Sequence, residues 1–167
     1  MLKPRLLVLL SMVSAAAMSR FTPHPPNMTS IAAVALFGGA YFSDKRLAFA
    51  VPLAALFLSD LVLGLYRHME VVYLSFALVV LIGAGLQRHR TAPFVTGGAV
   101  LSSALFFAIT NFGVWVFEPL YPKTVAGLIG CYVAAIPFFW NTLTGDLLYT
   151  LVPVSYTHLT LPTNREV

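Results

Sequence analysis

The sequence predicts an all-α protein, a polytopic integral membrane bundle of about six transmembrane helices with the last one truncated. Three observations carry that expectation. The 167 residues are 59% hydrophobic and only 10% charged, where a soluble domain carries about 25% charged residues. The mean hydropathy is +0.85. Apolar runs follow one another along the chain, each closed by charges, prolines or glycines. In lipid, backbone groups must bond within their own segment, so such runs are helices.

The first predicted segment covers residues 3–19 and ends at Arg20 and the stiff loop FTPHPPNMT. Its basic start, apolar middle and Ala15–Ala17 also fit a cleaved signal peptide. A retained helix is the preferred reading, because every later segment is equally apolar. A short segment, 29–42, stops at Ser43-Asp44-Lys45-Arg46; the next, 46–65, stops at Tyr66-Arg67-His68. Segment 70–87 is closed by Gln87-Arg88-His89-Arg90, and segment 94–117 by Glu118-Pro119. Stretch 124–139, with Pro137 near its end, would reach about 24 Å as a helix, short of the roughly 30 Å core. It is expected to be partly embedded or re-entrant, with a full span through 124–146 as the alternative. A last helix is then expected from Asn141–Asp146.

These segments make one domain over 1–153. From Val154 the chain reads VSYTHLTLPTNREV, which resembles the translation of a transposon-type sequencing adapter. Residues 154–167 are therefore set aside as a non-native tail, the alternative being a genuine polar one.

Charge fixes an expected orientation. With alternating crossings, one side holds Lys3, Arg5, Lys45, Arg46, Arg88 and Arg90, and the other holds Arg20, Arg67 and Lys123. The positive-inside rule puts the richer side, and the N-terminus, in the cytoplasm. The net charge of +4 comes from residues scattered singly or in pairs, so topology explains it and a nucleic-acid partner is not expected. Cys131 is the sole cysteine, which excludes an internal disulfide and a thiol-paired metal site. With no Walker loop, HExxH, GxSxG or paired carboxylates, neither an ATPase nor another enzyme is expected, and no cofactor or metal is implied.

Polar residues inside apolar surroundings are the candidate site. Asp60, Asn111, Trp115, Asn141 and Asp146 are expected to converge near the outer face, beneath a loop carrying His24 and Asn27. Intramembrane ionisable residues default to function because their burial is expensive. Each also has a structural explanation: Asp60 paired with Arg67, Asn111 bonding a backbone carbonyl across helices, Trp115 in an aromatic belt, Asp146 capping the last helix. Ser11, Ala15 and Ser19 form a small-residue stripe, repeated by Ala35 and Gly39, that permits close helix approach within the bundle or against a partner.

The stretches SRFTPHPPNMTSIAAVALFGGAYF, VPLAALFLSDLVLG, FFAITNFGVWVFEPLYP and GLIGCYVAAIPFFWNTLTGDLLYT resemble a bacterial family of predicted transport proteins, domain of unknown function 6580. That family looks related to the substrate-binding S components of energy-coupling-factor (ECF) vitamin transporters. The IPFF…GD pattern at 136–146 is similar to the turn before the last helix of biotin-type S components. Leu147-Leu148-Tyr149 stand where those have a basic residue, so biotin is not supported. The resemblance implies capture of a small molecule such as a vitamin, with energy supplied by a separate transmembrane subunit and ATPases. A stand-alone facilitator and an assembly protein without ligand are the alternatives.

Overall fold

The computed structural model describes Ser14, Met18, Arg20, Phe21 and residues 31–42, 44–89 and 91–160; for Ile31 and 151–160 it describes the backbone only. Predicted segment 3–19 lies outside the described residues apart from Ser14 and Met18, which are helical. The described residues form five α-helices and no strand: α1 (Ile31–Tyr41), α2 (Lys45–Leu63), α3 (Met69–Gly85), α4 (Ala92–Phe117) and α5 (Val125–Thr160), with a 3-10 turn over Leu86–Arg88. Predicted segments 29–42, 46–65, 70–87 and 94–117 each match one helix to within two residues at either end.

Four helices are long and apolar enough to cross a membrane: Lys45–Leu63, Met69–Arg88, Ala92–Phe117 and Val125–Thr150. Polarity is distributed as lipid requires. Leu58, Val62 and Val125 are 62%, 72% and 75% exposed, while Ser59, Asp60, Ser75, Ser103 and Asp146 are buried. A protein dissolved in water turns those two sets the other way. The apolar outer surface and polar interior are those of a membrane-embedded bundle.

α1 is about 16 Å long, half a bilayer core. It is instead the buried centre, with Ala35 and Leu36 fully enclosed and all four other helices packed on it. Its closest neighbour is α3, and glycine makes that approach possible. A Cβ at Gly39 would land on the Val80 carbonyl oxygen and lie 2.7 Å from the Ala84 nitrogen; one at Gly83 would land on the Leu36 carbonyl oxygen. The spacing of Ala35 and Gly39 therefore serves contact within the bundle. α1 stops where Gln87 reaches in. Its Nε2 donates to the carbonyls of Gly39 at 2.9 Å and Phe42 at 3.0 Å, groups the helix end leaves open.

α2 begins on Asp44, whose side chain accepts from the Arg46 N–H at 2.8 Å, an N-cap. It ends at Gly64, whose φ of 107° a side chain would resist. It packs on α1 and α3, and makes no contact with α4 or α5.

The largest departure from expectation is the C-terminal third. Stretch 124–139 is not re-entrant and no separate helix begins at Asn141–Asp146: α5 is continuous from Val125 to Thr160. Pro137 was expected to close a segment, but in lipid a broken helix exposes backbone groups that no water can satisfy. Continuing through the proline forfeits about one hydrogen bond, the cheaper outcome. Residues Val125–Thr150 are by themselves long and apolar enough to cross a membrane, and Asp146 lies inside a helix rather than at its cap.

Candidate functional site

Asp60 sits on the inner face of α2, three residues before its end, and is fully buried. Its Oδ1 lies 2.6 Å from the Arg20 guanidinium, and its Oδ2 accepts from the Tyr73 hydroxyl of α3 at 2.9 Å. Arg20 also donates to Ser59 Oγ and to the Leu56 carbonyl. The counter-ion is thus Arg20, 40 positions upstream, and not Arg67 as the sequence spacing suggested. The pairing lets a carboxylate remain inside the bundle, since each partner removes the other's unpaired charge. Tyr66, in the connection after α2, has its phenol pushed up to about 12 by burial first and by the Asp60 charge second.

Beside this ion pair a groove of about 400 Å³ is lined by Ser14 and Phe21 and by residues of α2. Val51, Ala54, Ala55, Leu58 and Ser59 are its α2 residues, so its lining is mostly apolar. Ser59 connects it to Arg20 and so to Asp60.

Asn111 is elsewhere. Its Nδ2 donates to the Phe107 carbonyl on its own helix at 2.8 Å, and its backbone oxygen accepts from Cys131 Sγ of α5 at 3.4 Å. The cross-helix glue is carried by its neighbours: Tyr132 donates to the Ala108 carbonyl at 2.6 Å, and Phe107 rests against Tyr132 and Phe139. Asn111→Ala should therefore cost under about 1 kcal/mol, the scale of one intramembrane hydrogen bond, read as a small drop in melting temperature. A loss several times larger would mean the amide holds more than its own helix.

Trp115 builds the α4–α5 turn. Its Nε1 donates to the Pro122 carbonyl at 3.0 Å. Lys123 lies over its ring at 5.8 Å while donating to the carbonyls of Trp115 and Glu118. A lysine on the last carbonyls of α4 satisfies the helix end and complements its dipole.

Asp146 is 1% exposed and faces α4, where Ser103 donates to its Oδ2 at 2.6 Å. Ser103 is near the middle of α4, so Asp146 meets that helix at its centre and does not sit at a helix start, where the expected turn would have put it. Asn141 is half-buried one turn earlier on α5.

The described candidates fall into two groups. Asp60 belongs to α2, Asn111, Trp115, Asn141 and Asp146 to α4 and α5, and α2 touches neither of those helices. Of the remaining candidates, His24, Asn27, Ser11, Ala15 and Ser19 lie outside the described residues.

Sequence reasoning missed Arg20, Tyr73, Ser103 and Thr150. Arg20 read as a helix terminator and Tyr73 as an ordinary apolar-run aromatic. Ser102-Ser103 did carry a signal, two adjacent hydroxyls in a charge-free run. No curated protein and no solved structure matches the chain. A family model does, over residues 1–165, and the chain belongs to that family, the Family of unknown function (DUF6580).

Proposed function

We propose that this protein is a substrate-binding component of the bacterial cytoplasmic membrane, taking up a small molecule such as a vitamin without an ATPase of its own. The groove beside Arg20 and Asp60 carries the reading. Its volume of about 400 Å³ and mostly apolar lining lie in the range of small-molecule sites. With the N-terminus in the cytoplasm, as the charge bias favours, the Asp60 end of α2 faces outward, where capture from the medium would begin. Energy would come from a separate transmembrane subunit with ATPases, as for the S components that the family resembles, and the protein itself catalyses no reaction.

A thermal-shift screen of vitamins and related nutrients on the purified protein tests this. A true substrate raises the melting temperature of the wild type and leaves Ala55→Trp, whose indole fills the groove, unmoved. If no compound discriminates the two, the groove is not the site.

A second reading, an assembly protein without ligand, draws support from two local facts. Asn111 is satisfied within its own helix and Asp60 is neutralised by Arg20. Under it, no compound stabilises either variant.

A further inference from the structure

Among the described residues, Asp146 has no counter-charge on any helix packed against it. α5 packs on α4 and α1, and neither Ala92–Phe117 nor Ile31–Tyr41 contains an Asp, Glu, Lys, Arg or His; Tyr41 is the one titratable side chain on the two. On α5 itself the other titratable residues are Cys131, Tyr132, Tyr149, Tyr156 and His158. His158 is about 18 Å further along the axis.

Two oxygens in this place are also left over. Ser103 satisfies Oδ2 of Asp146, but Oδ1 has no hydrogen-bond partner among the described residues. One turn on, Thr150 is fully buried and its Oγ1 has none either. Interiors rarely leave such groups unsatisfied, and a bare carboxylate buried in a membrane bundle is costlier still.

We propose that Asp146, Thr150 and Ser103 form a binding site for one sodium ion. One carboxylate and two neutral hydroxyls carry a net charge of −1, which a monovalent cation cancels and a divalent one would overshoot. The donors are all hard oxygens, and the described residues contain no cluster of His, Cys, Asp and Glu fit for a transition metal. A proton would cancel the charge yet leave Thr150 unbonded, because the two orphaned oxygens do not bond one another. A cation lying between them satisfies both. The site is on α4 and α5, apart from the groove on α2, so it stands whether or not the groove binds a nutrient.

Melting of the full chain in detergent, at neutral pH and constant ionic strength, decides it. Sodium chloride, potassium chloride and N-methyl-D-glucamine chloride are compared, since a ligand of the folded state stabilises by mass action. Sodium should raise the melting temperature saturably and above potassium. Asp146→Asn should abolish the effect, and Thr150→Val should weaken apparent sodium affinity about tenfold, the loss of one contact to a charged group. Thr150→Ser, which keeps the oxygen, should retain it. The Thr150 pair carries the test alone if Asp146→Asn does not fold. A wild type indifferent to sodium, stabilised equally by potassium, or stabilised only by acid overturns the proposal, the last by showing a protonated carboxyl.

Discussion

Gly83→Val leaves no folded bundle in detergent, whereas Gly97→Ala melts at or slightly above the wild-type temperature. Both replace a helical glycine, and helix propensity alone favours the change in each by up to about 1 kcal/mol. What separates them is the neighbour. Nothing lies within 4 Å of a Cβ at Gly97, while a Cβ at Gly83 falls on the Leu36 carbonyl oxygen and 3.0 Å from the Ala40 nitrogen and Gly39 Cα. Those are backbone atoms of α1, which cannot rotate aside as a side chain does. The helices must separate, and α1, which all the others pack on, moves with them. Overpacking a core costs about 1–3 kcal/mol where side chains can yield; here the loss should exceed about 3 kcal/mol. Gly39→Val should behave in the same way. Size-exclusion profiles and tryptophan-fluorescence melting check it, and a Gly83→Val protein that melts like the wild type would mean the two helices are not in contact there.

Arg20→Met should cost about 3–5 kcal/mol, because it strands the Asp60 carboxylate inside the bundle. Arg20 keeps 14% of its side chain exposed and Asp60 only 1%, so the stranded arginine of Asp60→Asn reaches solvent more easily and that variant should lose less. Arg20→Met combined with Asp60→Asn should recover most of the loss, since an amide still accepts from Tyr73 without a charge to compensate. Thermal or denaturant unfolding of the four proteins in the double-mutant cycle measures the coupling. Strictly additive losses would deny the ion pair its role.

The helices were legible because lipid makes each crossing announce itself as an apolar run with punctuation at its ends. The same punctuation misled at Pro137, since a proline that stops a helix in water need not stop one in a bilayer. That one misreading placed Asp146 at the start of a helix, whereas it lies well inside a continuous one. Asp60 and Asp146 stood out as acids in apolar runs. Their partners did not: Arg20 is 40 positions from Asp60 and Ser103 is 43 from Asp146, distances at which no local pattern operates. The depth of α1 was hidden too. Its all-round apolar sequence fits a lipid-facing span and a buried centre equally, and only its length argues for the second.

The groove beside Arg20 and Asp60 is the feature on which the functional reading stands. Native mass spectrometry of the full chain, released from nanodiscs prepared from cells grown in rich medium, weighs its contents directly. A discrete small-molecule adduct on the wild type, absent from an Ala55→Trp protein of unchanged melting temperature, is the predicted result. A wild type free of any adduct, or an adduct that survives Ala55→Trp, would contradict it.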